Sequence, residues 1–321
     1  MTHLFVILIL GTSVLSFDQP ENIKAKEVRT KITPSQPVTS TRLPRKQVHT
    51  LMRPTQYTIG VDSLKLNKPV WSTQLPKPQY VQIFTKTCQK YYTKRQFDLV
   101  MFVQTWPGQL CFDNVCKLPE STLSLQEGFL IHGMWPRYFK NERLKCCKTS
   151  FTELQVENQM LKNPNLMSGI HKFWMSLLNC RFAMAQYEKH GTCALKTYTG
   201  PNGPLDYMET AISLREKIDL WGILRTSELH VEMEKFYKLE NIRKVVRRAY
   251  GVNPVFKCNK ESSIYQVKIC YDTKNDRFNP TPIECPNYIK RSENCGTRVV
   301  FKKIPNNLID PQRALRNKCN Y

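Results

Sequence analysis

Twelve cysteines in a chain of 321 residues constrain the fold more than any other feature, because they stand behind a leader-like N-terminus. Met1 to Ser16 has a short polar start, the apolar run Leu4 to Leu10, and a small-residue stretch from Gly11 to Ser16. That is the arrangement of a secretory signal, and it is too short to span a bilayer. In an exported chain an even number of thiols points to disulfides rather than metal thiolates. Zinc would call for paired Cys-x-x-Cys modules, and the sequence contains none. No metal and no cofactor is expected. No later segment carries a long uncharged apolar run, so the expectation is a secreted, extracellular protein without a membrane span.

Lys and Arg outnumber Asp and Glu by 48 to 26, a formal charge of +22. Such a surface attracts polyanions: RNA, anionic membranes and acidic polysaccharides all qualify, and charge does not choose among them. A hydrophobic content of 41% suffices for an ordinary packed core. Residues 17–92 are rich in Lys, Thr, Gln and Pro and lack sustained apolar periodicity, which reads as a basic flexible extension. Within it, Tyr80 to Phe84 is a candidate local strand. Residues 93–321 are expected to form the folded domain.

That domain opens on an apolar strand run, Phe97 to Val103, stopped by Trp106-Pro107-Gly108. A second run, Gly128 to Ile131, delivers His132. Met208 to Leu224 places Ile212, Leu214, Ile218, Leu220, Trp221 and Leu224 at mainly helical intervals, predicting one amphipathic helix. After Gly251 come short β-like runs, Ser263 to Tyr271 and Thr297 to Phe301. The pattern predicts an α+β fold, an antiparallel sheet with helices packed against it.

Two histidine segments carry the chemistry: Phe129-Leu130-Ile131-His132-Gly133-Met134-Trp135-Pro136 and Lys189-His190-Gly191-Thr192-Cys193. Two imidazoles can act as proton donor and proton acceptor near neutral pH. Gly133 and Gly191 are expected to allow tight backbone paths beside them. Together the segments resemble the two active-site segments of the ribonuclease T2 family. The resemblance runs over residues 97–305, through Phe97-Asp98, Thr105-Trp106-Pro107, the helix from Tyr207 and the cysteine spacing. It looks closest to the basic plant branch that contains the self-incompatibility S-ribonucleases.

The resemblance implies cleavage of single-stranded RNA through a 2′,3′-cyclic phosphate, with His190 as base, His132 as acid and Lys189 as fixed positive charge. Trp135 and Tyr138 offer faces for stacking an unpaired base. The chain departs from the family at Ala185, where a His is common, and at Gln186, where a Glu is common. An amide carries no charge and cannot share a proton, so reduced turnover is expected. The alternatives are a member of the fold that binds RNA or another partner without turnover, and a basic defence protein. Arg137 stands where the family frequently has an acid, and Met101 where many relatives have Gln, which alters the expected base preference.

By the same resemblance Cys193 bonds to Cys146 or Cys147, Cys111 to Cys116, Cys258 to Cys295, and Cys270 to Cys285. Cys88, Cys180, Cys319 and one of the adjacent pair are left unassigned. Loss of Cys193 is expected to harm activity more than loss of Cys319, which lies at the C-terminus, where chains usually fray.

Overall fold

A computed structural model describes residues 88–93, 96–142, 144–260 and 262–321. The leader and the candidate strand Tyr80 to Phe84 lie outside the described residues.

Strand β1 (Leu99–Thr105) is buried along its whole length. Val100 and Phe102 enter the main core, while Leu99, Met101 and Val103 join Val255 and Ile289 in a smaller cluster on the other face. Burial on both faces explains why this run shows no polar alternation. Met101 therefore has a packing role. β1 pairs antiparallel with β2 (Leu130–Arg137) on one side and with β5 (Ser263–Asp272) on the other. β4 (Val255–Asn259) and β6 (Thr281–Ile283) also pair with β5, and β7 (Arg298–Val300) carries β3 (Phe236–Lys238). Every pairing between these strands is antiparallel except the contact of Ser263 with Val300.

Helices cover the main-core face, as the α+β reading expects. Pro107 takes the first turn of the helix Pro107–Asp113, where its missing N–H costs nothing, so the strand stop is also a helix start. Trp106 sits at the junction, its ring 4.4 Å from that of Trp221 and 5.2 Å from that of Phe129.

The single helix expected over Met208 to Leu224 is instead two, Gly203–Lys217 and Leu220–Thr226. Ile218 is extended (φ −131°, ψ 100°) and Asp219 starts the second helix. Asp favours helix starts over interiors because its carboxylate competes for backbone donors. Ile212, Leu214, Leu220, Trp221 and Leu224 nevertheless share one core, which is why the apolar period runs across the break.

Six disulfides close among the described residues. Cys111–Cys116, Cys258–Cys295 and Cys270–Cys285 pair as the resemblance implied. Cys193 takes Cys147, and Cys146 reaches back to Cys88. Tyr92 bridges Cys147, with its backbone N–H donating to the Cys146 carbonyl at 2.8 Å. Residues 88 and 92, read from sequence as extension, are thus joined covalently and by backbone pairing to the body.

The C-terminus does not fray. Cys319 bonds to Cys180, and Cys319 and Tyr321 are each only 2% exposed. The Tyr321 hydroxyl donates to Glu157, which also holds Arg181 through two bonds of 2.7 and 2.9 Å. Asn317 donates its amide to the carbonyls of Lys117 and Ser176. A buried ion pair needs its remaining polar positions satisfied, and the last residue of the chain does part of that here.

Candidate active site

A β-bulge presents His132. Gly133 pairs with Val103 and Ile131 with Gln104, so His132 has no partner of its own on β1. The extra residue resets the alternation: Ile131 and Met134, three apart, both reach the main core. Bulges re-aim a side chain in this way. The His132 imidazole Nδ1 lies 3.2 Å from Thr105 Oγ1 and 3.0 Å from Gln266 Nε2. Thr105 and Gln266 face each other across β1 and β5. Gln266 Nε2 only donates and so suits an unprotonated Nδ1, whereas the Thr105 hydroxyl can donate or accept, so Nδ1 has a partner with or without its proton.

The helix Phe182–Lys189 delivers the second segment. Gln186 and His190 stand four apart and therefore share a face, and His190 donates its backbone N–H to the Gln186 carbonyl at 2.9 Å. This face docks on Trp135. The Trp135 indole N–H donates to Gln186 Oε1 at 3.1 Å, and the His190 ring stacks on the indole at 4.8 Å and 25°. His132 meets the same indole edge-on, with centroids 5.2 Å apart. One tryptophan therefore touches both imidazoles.

Two close approaches require glycine. A Cβ on Gly133 would lie 2.5 Å from Trp135 Nε1 and 2.9 Å from Gln186 Oε1. A Cβ on Gly191 would lie 2.5 Å from the Tyr187 ring and 2.7 Å from the Tyr207 ring. Neither glycine has a positive φ, so closeness of approach and not an unusual backbone is the reason.

His132, Trp135, Gln186, Lys189 and His190 line one cleft of about 280 Å³, together with Arg137, Leu144 and Lys145. Its lining contains no carboxylate. Burial, with the Lys189 and Lys268 cations, pushes His132 down to about 4. Burial, with Arg137, Lys189, His132 and Lys145, holds His190 well below the ordinary imidazole range. Burial and the neighbouring Lys145 and Arg137 lower Lys189 as well. Near neutral pH both imidazoles are neutral and the cleft's charge is carried by Arg137, Lys145 and Lys189.

Tyr138 is not part of this lining. It follows the end of β2 and packs against the main core, with its carbonyl accepting from the Tyr288 hydroxyl at 2.8 Å. Trp135 has one face against His190, and the Arg137 guanidinium lies 5.4 Å from its ring. A smaller depression of about 130 Å³ opens beside His132, with Phe182, Leu178 and Tyr265 in its wall. Lys145 and Gln266 were not singled out from sequence, and Thr105 only as part of the strand end Thr105-Trp106-Pro107. No local pattern marks them, because strand register and a disulfide-bound loop bring them to the histidines. Among the described residues no group of three or more His, Cys, Asp or Glu could hold a metal ion.

Fold and site define a disulfide-stapled α+β enzyme with two imidazoles in one cationic cleft. The profile of the ribonuclease T2 family matches residues 97–285, and the chain belongs to that family. It is 30% identical over 238 residues to ribonuclease 3 of Arabidopsis thaliana, covering 69% of this chain and 98% of that one. It is 30% identical to extracellular ribonuclease LE of Solanum lycopersicum over 68% of this chain and 93% of the relative. Among solved structures, RNase NT in complex with 5′-AMP superposes with a TM-score of 0.52 at 29% identity, covering 64% of this chain and 98% of that one. The self-incompatibility SF11-RNase of Nicotiana alata shares the fold, with a TM-score of 0.50 at 24% identity over 65% of this chain and all of the other.

Proposed function

We propose that this ribonuclease T2-type enzyme is a secreted endoribonuclease that cleaves single-stranded RNA by transphosphorylation. The ribose 2′-hydroxyl attacks the adjacent phosphorus, the P–O5′ bond breaks, and a 2′,3′-cyclic phosphate is left on the upstream fragment. His190, neutral near pH 7, takes the 2′-hydroxyl proton. His132, once protonated, gives a proton to the departing 5′-oxygen. Lys189, Lys145 and Arg137 oppose the charge gathering on the non-bridging oxygens.

Gln186 has a defined part in this reading. An indole N–H can only donate, so its bond to Gln186 Oε1 fixes the amide and leaves the NH₂ group for a phosphate oxygen. The amide can hold a phosphate but cannot share a proton, which favours weakened turnover. The depression walled by Phe182, Leu178 and Tyr265 is the better place for an unpaired base than Tyr138. The leader-like residues 1–16 support export, and one of the similar proteins is named as extracellular, another as intracellular.

The observation that carries the reading is the contact of both imidazoles with Trp135 in a cleft whose charged lining is wholly cationic. The test is cleavage of a defined single-stranded RNA in EDTA, with the products separated and their termini identified. A cyclic-phosphate terminus, lost in both His132→Ala and His190→Ala, is expected. Activity abolished by EDTA and restored by a divalent ion would overturn the mechanism. RNA binding without cleavage would instead favour the non-catalytic alternative that Ala185 and Gln186 suggest.

A further inference from the structure

The helix Phe182–Lys189 has a second face. Gln186, Lys189 and His190 turn to the RNA cleft, whereas Met184, Tyr187 and Glu188, spaced three and four apart, line a different cavity of about 510 Å³. Tyr91, Phe151 and Glu153 complete much of its wall. This volume is within the range of small-molecule sites.

Two side chains in its wall each carry an enclosed polar atom without a partner. Glu188 is 4% exposed, and only one of its carboxylate oxygens is engaged, accepting from the Tyr91 hydroxyl. Its Oε2 has no hydrogen-bond partner. Tyr187 is 3% exposed, and its hydroxyl likewise has none. Buried polar atoms are rarely left so, and each costs free energy while it stays unpaired. Burial pushes the carboxyls of both Glu188 and Glu153 up to about 7, with each held partly down by Arg181. An entering cation with N–H donors would relieve both carboxylates.

The rest of the wall indicates what kind of cation fits. Tyr91, Phe151 and Tyr187 present aromatic surface, which attracts organic ammonium groups, Met184 adds an adaptable apolar patch, and Lys148 is the one cation of the wall, against the two carboxyls. For a bare metal ion the wall offers two carboxyls and threonine hydroxyls, and among the described residues no group of three or more His, Cys, Asp or Glu could hold one.

We propose that this cavity binds a primary organic ammonium on an apolar body, the ammonium at Glu188 and Glu153 and the body against Tyr91, Phe151 and Met184. The site is separate from the RNA cleft, and its occupancy is read without reference to RNA cleavage.

The test is calorimetric titration of the disulfide-intact chain with phenethylamine, beside phenylethanol as a neutral partner of the same shape. Saturable binding of one amine is expected, with the alcohol at least about tenfold weaker, equivalent to about 1.4 kcal/mol. Glu188→Gln should weaken the amine by a similar factor. Should that variant fail to fold, Glu153→Gln, on the first turn of its helix, makes the same test, with far-UV circular dichroism and thermal unfolding as its folding controls. The inference falls if the amine does not saturate, if the alcohol binds equally, if Glu153→Gln and Glu188→Gln bind as the parent does, or if calcium binds in the amine's place.

Discussion

His132 sets the expected pH dependence. As the acid it must be protonated, yet its pKa is pushed down to about 4, so the competent fraction rises as pH falls from 7 toward 4. His190, held well below its ordinary range, is neutral near pH 7 and able to accept a proton. Cleavage of a short RNA is therefore expected to show a rising kcat/KM from neutral to mildly acid pH, measured at constant ionic strength. An optimum above pH 8 would contradict the assignment. Gln186→Glu adds a negative charge beside three cations and keeps an acceptor for the Trp135 indole. It should raise kcat by roughly tenfold to a hundredfold, the scale of one well-aligned transition-state contact, and it should raise the apparent pKa of His190. Equal kcat with unchanged RNA affinity would show that the amide is not the limiting group. At this scale the sequence named His132, Lys189, His190 and Gln186, which the structure brings into one cleft, because they fall in and beside two contiguous motifs. Tyr138 lies outside the cleft lining, because proximity to Trp135 along the chain says nothing about which way the backbone turns after a strand ends.

The elements hold the site by close contact. The bulge at His132 and the helix face of Gln186 and His190 meet on Trp135, and Gly133 leaves the indole its place. Gly133→Ala should push the indole off Gln186 and disturb the His190 stack, lowering kcat by at least about tenfold. Overpacking of this sort costs about 1 to 3 kcal/mol in stability. Activity and thermal unfolding measured together check it: unchanged kcat would mean that the indole position is not critical. The apolar period located β1, β5 and the helical region near residue 212, since burial writes itself into composition. It could not show the break at Ile218 or the bulge. Both arise from tertiary contacts that local periodicity does not encode.

Across the whole molecule, the disulfides tie distant segments and the two most telling bridges do different things. Cys147–Cys193 spans 46 residues and joins the chain after β2 to the turn just beyond His190, while Cys180–Cys319 spans 139 and secures the C-terminus beside the start of the helix Phe182–Lys189. Removing a native disulfide costs about 2 to 5 kcal/mol, more for a longer loop. Cys319→Ser is therefore expected to lower stability at least as much as Cys193→Ser, whereas Cys193→Ser should lower activity more at a matched folded fraction. Denaturant midpoints and RNA turnover on the two variants decide the matter, and equal turnover would overturn this division of roles. The anchoring of the C-terminus was not legible in the sequence. The pairing of Cys180 with Cys319 and the bond from Tyr321 to Glu157 are products of the completed fold, and terminal position alone argued the other way.

Cys146 and Cys147 are consecutive, yet their bridges run to residues 88 and 193. The left-handed backbone at Cys146 (φ 54°) turns the chain between them, so in the finished protein they are not interchangeable. Before that turn forms, two thiols one residue apart are almost equivalent targets for Cys193. Recombinant chain oxidised without an isomerase should accumulate a crossed isomer, Cys88 with Cys147 and Cys146 with Cys193, whose catalytic helix is tethered one residue out of register. Low specific activity in such a preparation would then report a sorting error in covalent assembly, and it would recover on thiol–disulfide reshuffling without any change of sequence.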